Sequence, residues 1–148
     1  MTSSNIPEGY RPYQAPDMYP EKIGPLYFKR EGEEYSFGFL VEKGHTNFNG
    51  VLHGGMMMSF VDEMLGHKVW HAIGKKMCAT ISLNFDFIAS AKQGDWVDLN
   101  CKITRKGMSV VFIRGELVVD DQIILTVDGI WKVFNKPATL KESAAPAS

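Results

Sequence analysis

The stretch Gly54-Gly55-Met56-Met57-Met58-Ser59-Phe60-Val61-Asp62-Glu63-Met64-Leu65-Gly66-His67-Lys68-Val69-Trp70-His71-Ala72-Ile73-Gly74 decides the architecture. Met57, Phe60, Val61, Met64, Leu65 and Val69 recur at the three- and four-residue steps of a single helical face, and Met56 and Met58 widen it. The spacing predicts a helix from Gly54 to Ile73, about 20 residues or roughly 30 Å long. Gly74 followed by Lys75 and Lys76 is a stop signal, a glycine just past the last turn with cations at the negative end of the dipole.

Outward from this helix the pattern changes to period two. Ile81, Leu83, Phe85 and Phe87 share one face and Thr80, Ser82, Asn84 and Asp86 the other. Val97, Leu99, Cys101 and Ile103 alternate with Asp98, Asn100, Lys102 and Thr104. Two further strands, Val110 to Val119 and Ile123 to Phe134, flank Asp120-Asp121-Gln122. Arg105-Lys106-Gly107-Met108 reads as a hairpin turn. Before the helix, Leu26 to Lys29 and Tyr35 to Val41 flank the turn-like Arg30-Glu31-Gly32-Glu33, a second hairpin. One long apolar helix among antiparallel strands satisfies its hydrophobic face only if the sheet curls around it. The expected fold class is therefore α+β, one long central helix wrapped by a curved antiparallel sheet of about five to six strands.

The flanks differ in composition. Residues 1–21 are rich in Pro, Tyr and Ser and form an expected irregular arm, whose Tyr10, Tyr13 and Tyr19 are suited to packing on a surface. Residues 137–148 are rich in Ala, Pro and Ser and are expected to be a flexible tail. The domain proper is expected at 22–136.

The whole chain is 148 residues with 16 Lys plus Arg against 17 Asp plus Glu, a net charge of −1. That length matches one domain with a real core. The near-neutral balance argues against a dedicated nucleic-acid binder. No apolar run approaches the roughly 18 residues needed to span a bilayer, and the N-terminus has no apolar core of a signal peptide. Cys78 and Cys101 make no disulfide framework or CxxC pair. A cytoplasmic protein with reduced thiols, without membrane or nucleic-acid partners, is the expectation.

The chemistry concentrates in His45-Thr46-Asn47-Phe48-Asn49-Gly50-Val51-Leu52-His53-Gly54-Gly55 and in Asp62. The first amides of a helix have no intrahelical partner and sit at the positive end of its dipole. Two glycines there let a ligand reach the bare backbone, as an oxyanion hole requires, although a helix start with a flexible entry has the same residues. Asp62 lies amid the apolar helix, and its neighbours one turn away are Met58, Ser59, Leu65 and Gly66, none a cation. Burial there predicts a raised pKa and a functional acid, or else a carboxylate bonded to a neighbouring loop. Glu63 has His67 four residues on and is expected to pair with it on a solvated face.

Asn47, Gly50, His53-Gly54-Gly55 and an acid nine positions after the histidine resemble the hotdog-fold acyl-CoA thioesterases of the PaaI and 4-hydroxybenzoyl-CoA thioesterase type. The resemblance spans roughly Lys22 to Phe134 and implies hydrolysis of an acyl-CoA to free acid and CoA, with no metal or other cofactor. It implies that the Gly54 amide polarises the thioester carbonyl and that Asn47 holds that carbonyl or the attacking water. His53 would support the thioester end of the substrate, and Asp62 would act as general base or as nucleophile. Thr80, on the polar face of the next strand, would orient the acid or water, with Ser82 as its fallback. A hotdog dehydratase or hydratase acting on acyl thioesters, and a non-catalytic acyl-CoA binding module, are the alternatives.

Gly54 and Asp62 are eight residues apart, about 12 Å along one helix. A single carbonyl carbon cannot touch both from that helix. If both act on it, they come from different copies of the chain, and a homodimer, or a tetramer built from dimers, follows, as the resemblance also implies. From Cys101 to Gly115 the chain carries Lys102, Arg105, Lys106 and Arg114 and no acid, and Arg105 with Lys106 is the expected site for the CoA phosphates. Glu63, His67 and His71 share a helix face but lack further ligands for a metal. His45 reads as a loop residue. The Met56-Met57-Met58 run reads as core packing, or as an adaptable acyl pocket wall in a dimer.

Overall fold

The computed structural model describes residues 5–137. The central helix, α2, runs Gly54–Ala72, behind a single-turn helix α1 at Tyr19–Ile23. Ile73 is the C-cap, Gly74 takes a φ of +76° and Lys75 a φ of +64°, so the chain turns where the glycine stands. The strands are β1 (Arg11–Pro12), β2 (Tyr27–Glu31), β3 (Glu34–Leu40), β4 (Lys76–Phe87), β5 (Trp96–Lys106), β6 (Val110–Val119) and β7 (Gln122–Pro137). They form one seven-stranded sheet in the order β1-β2-β3-β5-β6-β7-β4, every pair antiparallel. This is the hotdog fold. Met56, Met57, Phe60, Val61, Met64, Leu65, Val69 and Trp70 of α2 are buried against Phe37, Phe39, Val97, Leu99, Val111, Ile113, Val127 and Trp131 of the sheet. None of the helices in the described residues is long and apolar enough to cross a membrane.

The strand count exceeds the expected five to six because the arm adds one. Arg11 and Pro12 pair with Phe28 and Tyr27, and the Tyr13 amide donates to the Leu26 carbonyl at 2.8 Å. Between residues 5 and 18 this two-residue strand is the regular structure, and it holds the arm to the sheet. Its tyrosines tie it down. The Tyr10 hydroxyl donates to Asp98 at 2.9 Å, Tyr13 donates to Glu63 at 2.7 Å, and Tyr19 shares a 2.8 Å hydrogen bond with Ser59. The tail expected from 137 onward lies, beyond Pro137, outside the described residues.

The Tyr13 hydroxyl is held above the ordinary phenol value by burial first, and by the Glu63 carboxylate second. Unfolding returns it to a value near 10.0. Above about pH 10 the unfolded chain releases this proton while the folded chain keeps it, so stability falls as pH rises. Tyr13→Phe is expected to lower stability at neutral pH by about 1–2 kcal/mol. It is also expected to flatten the alkaline loss. Urea unfolding across pH 7–11 reads both effects.

One irregularity re-aims a strand. In β4, Thr80 pairs with Trp131 but Ser82 pairs with Ile130, a bulge that inserts Ile81. Cys78 and Thr80 therefore share the core side with Leu83 and Phe85, instead of the opposite faces that strict alternation predicts. Ile81 is turned outward and is 55% exposed.

Candidate active site

The loop before α2 is fixed from below by His45. It is buried rather than a free loop residue. Its Nδ1 accepts from the Glu42 amide at 3.0 Å, so its Nε2 carries the proton and donates to the Ile23 carbonyl at 2.7 Å. The His45 carbonyl in turn accepts from the His53 amide at 2.8 Å. Between them Asn47 closes a turn: its amide donates to the Val51 carbonyl at 2.9 Å and its carbonyl accepts from Gly50 at 2.9 Å. Gly50 sits at φ +76°, a conformation that suits a glycine. The Asn47 Oδ1 accepts from the amides of Asn49 (2.9 Å) and Val51 (3.3 Å), which leaves its NH₂ group as the end able to donate to a ligand.

His53 is the N-cap of α2. Its Nδ1 accepts from the Gly55 amide at 2.8 Å, and its carbonyl takes the Met56 and Met57 amides. The remaining first-turn donor, the Gly54 N–H, has no hydrogen-bond partner among the described residues. A side chain at Gly54 would put its Cβ 3.2 Å from the Phe87 ring, so glycine allows the start of α2 to sit against β4. One histidine therefore satisfies three amides and leaves the fourth bare.

Asp62 stands two turns along. The expected burial is not found: α2 turns its apolar face to the sheet, and Asp62 lies beside that face, exposed in the single chain. Its partner is Thr80, whose hydroxyl donates to Asp62 Oδ1 at 2.7 Å. The bulge at Ile81 makes this contact, because it keeps Thr80 on the helix side. Ser82 falls on the far side of the bulge. The carboxylate lies between two spaces. Inward is a cavity of about 320 Å³ whose lining includes Tyr13, Gly66, Trp70 and Trp131; outward is a groove lined by Met58, Ile81, Leu83 and Phe85. Neither contains His53 or Gly54, and the space beside His53 and Gly55 does not contain Asp62. The structure joins Asp62 to Thr80, places Asn47 in the turn that leads to His53 and Gly54 without a bond to either, and keeps the Asp62 pair apart from that end of the helix.

The other expectations fare unevenly. His67 is not solvated: it is buried among the rings of Tyr13, Tyr35, Phe37 and Trp70, and Glu63 accepts from Tyr13. His71 faces Glu33 at 3.6 Å, so the expected row of Glu63, His67 and His71 diverges. The described residues hold no cluster of three groups able to bind a metal. Arg105 faces solvent across from Phe112, and Lys106 donates to the Ala72 carbonyl at 3.3 Å, at the negative end of α2. Arg114 is paired with Asp128 of β7 at 2.7 Å, so the run of four cations is partly neutralised by the neighbouring strand. Sequence reasoning missed the arm as a wall of the inner cavity; only the spacing of its tyrosines hinted at contact.

The chain is 22% identical over 129 residues to "Putative esterase PA0474" of Pseudomonas aeruginosa, covering 86% of this chain and 96% of that one. A mutant form of the phenylacetic acid degradation protein PaaI from Thermus thermophilus superposes with a TM-score of 0.70 at 17% identity, covering 78% of this chain and 97% of that one. The smu.793 protein of Streptococcus mutans, solved bound to acetyl CoA, superposes with a TM-score of 0.62 at 17% identity, covering 70% and 82%. The sequence model of the Thioesterase superfamily matches residues 49–125, from the Asn47 turn through α2 and β4 to the start of β7. With more than half of its length matched, the chain belongs to the Thioesterase superfamily.

Proposed function

We propose that the protein hydrolyses an acyl-CoA thioester at a site shared between two copies of the chain. The observation that carries this reading is the Asp62–Thr80 pair, set in the wall of a partly open cavity and remote from the bare Gly54 amide of the α2 N-terminus. In the reaction, water adds to the thioester carbonyl as Asp62 takes its proton. The carbonyl oxygen becomes an oxyanion and accepts from the Gly54 N–H, with the Asn47 NH₂ as second donor. Collapse breaks the C–S bond, and the sulfur leaves as CoA thiolate, which takes up a proton. Attack by the Asp62 carboxylate itself, through a mixed anhydride that water then opens, uses the same groups. His53 holds the amide array in place through Gly55 and offers its Nε2–H outward. Of the pair Arg105 and Lys106, Arg105 has no ion pair among the described residues and is the one offered to the CoA phosphates, since Lys106 is engaged by the helix end.

A second copy has a docking edge in β4. This 12-residue strand closes one end of the sheet and, among the described residues, pairs with β7 alone. Beside that open edge Ile81, Phe87 and Ile88 are 55%, 51% and 57% exposed. A long apolar edge is a template for pairing with another chain. Antiparallel docking of two such edges lays the two α2 helices side by side, and brings the Gly54 amide of each toward Asp62 of the other. The CoA-bound state of the Streptococcus mutans relative supports CoA as the carrier.

Incubation with a panel of short, medium, long and aryl acyl-CoAs, following free thiol, tests the reading. The expected result is thiol release from at least one class, by a protein whose mass in solution is that of a dimer or tetramer. Tight thioester binding without thiol release overturns it in favour of a binding module. Water addition or loss on an enoyl or hydroxyacyl thioester, with the C–S bond intact, overturns it in favour of a hydratase.

A further inference from the structure

Gly66 stands in the middle of α2, where a glycine lowers stability relative to alanine. Its backbone does not need a glycine, since its φ is not positive. Neither does its packing. A Cβ there would meet only the Trp131 indole, at 3.6 and 3.9 Å, which is ordinary contact. What a side chain would take is space in the 320 Å³ cavity. Asp62, Gly66 and Trp70 line that cavity at successive helical turns, a path of about 12 Å. Trp131 and the segment from Cys78 to Thr80 form the opposite wall, and Tyr13, Ala15, Met18 and Pro20 of the arm close the side. Trp70, only 3% exposed, ends the path. The volume is roughly twice the 150 Å³ that encloses a benzene ring in an engineered protein core.

We propose that Gly66 is the specificity-determining residue of an acyl pocket closed by the arm, and that it admits wide acyl groups, cyclic or branched, past the Asp62–Thr80 pair. The inference rests on the thioesterase reading above. An acyl group whose carbonyl lies at Asp62 passes Gly66 before it reaches Trp70. A methyl group at 66, set 3.6 Å from the Trp131 indole, fills the space between the helix and Trp131 at that turn of the cavity wall, and a single methyl in a pocket changes discrimination by about tenfold or more.

The test compares wild type with Gly66→Ala on acetyl-CoA and on CoA thioesters of graded width, with the melting temperature of each protein. Wild type is expected to favour the wide substrates. In Gly66→Ala the ratio of kcat/KM for the widest substrate to that for acetyl-CoA is expected to fall at least tenfold, with a melting temperature equal to or above that of wild type. An unchanged ratio overturns the pocket assignment, as does a melting temperature that drops sharply, because the methyl group then does not fit as argued. If wild type releases thiol from no member of the panel, the thioesterase reading fails and this inference with it. If wild type turns the panel over while Gly66→Ala keeps the same ratio, only the pocket fails.

Discussion

Asp62→Asn is expected to lower kcat for thioester hydrolysis by about 10²–10⁴-fold while leaving the protein folded. The substitution is close to isosteric. The Asn Oδ1 can still accept from the Thr80 hydroxyl, so the 2.7 Å contact that positions the group survives. Asp62 is exposed in the single chain and bonds to no cation among the described residues, so losing its charge takes away no ion pair there. What is removed is the ability to accept a proton from water or to attack the carbonyl. KM is expected to change little, because the acyl chain and the CoA tail make their contacts elsewhere. Stopped thiol release with retained thioester binding and an unchanged melting temperature is the expected combination. Hydrolysis at the wild-type rate would remove Asp62 from the reaction and leave the neighbouring Glu63, engaged by Tyr13, as the next carboxylate to test.

The features that sequence made legible are those set by local periodicity. The spacing from Met57 to Val69 shows a helix, and Gly74 with Lys75 ends it within a residue of the expected place. Asp120 and Asp121, both at positive φ, make the tight hairpin expected between β6 and β7. What was hidden depends on contacts between distant segments. Strict alternation places Thr80 on the face opposite Leu83, and only the pairing of β4 with β7 reveals the bulge that turns it toward Asp62. The helix pattern buries Asp62, because a one-dimensional pattern does not show where the sheet ends; β4 is the last strand, and nothing among the described residues covers that side. A run of cations reads as a patch until Asp128, on another strand, is found against Arg114. The arm looked irregular since its order comes from Asp98, Glu63 and Ser59, which lie 40 to 88 residues away.

Gly54→Pro is expected to lower kcat by about 10²–10³-fold, the effect of deleting one oxyanion donor. Proline removes the N–H and little else here. Gly54 is the first residue of α2, where proline is favoured, and His53 before it is already extended at φ −68° and ψ 134°, as the residue before a proline must be. The bond that caps the helix runs from Gly55 to His53 and is untouched. The nearest obstacle is the ring of Phe87, a half-exposed side chain with room to move. The two inactive proteins then report on each other. In a dimer of one Gly54→Pro chain and one Asp62→Asn chain, a shared site that takes Gly54 from the second and Asp62 from the first is intact, and its companion carries both defects. Random exchange makes about half of the dimers mixed, so an equimolar mixture should recover about a quarter of wild-type activity. A site built within one chain has a defect in every copy and recovers nothing. Recovery after unfolding and refolding the two together, against each refolded alone, therefore decides whether the 12 Å between Gly54 and Asp62, estimated from about 1.5 Å per residue, is closed by a second chain.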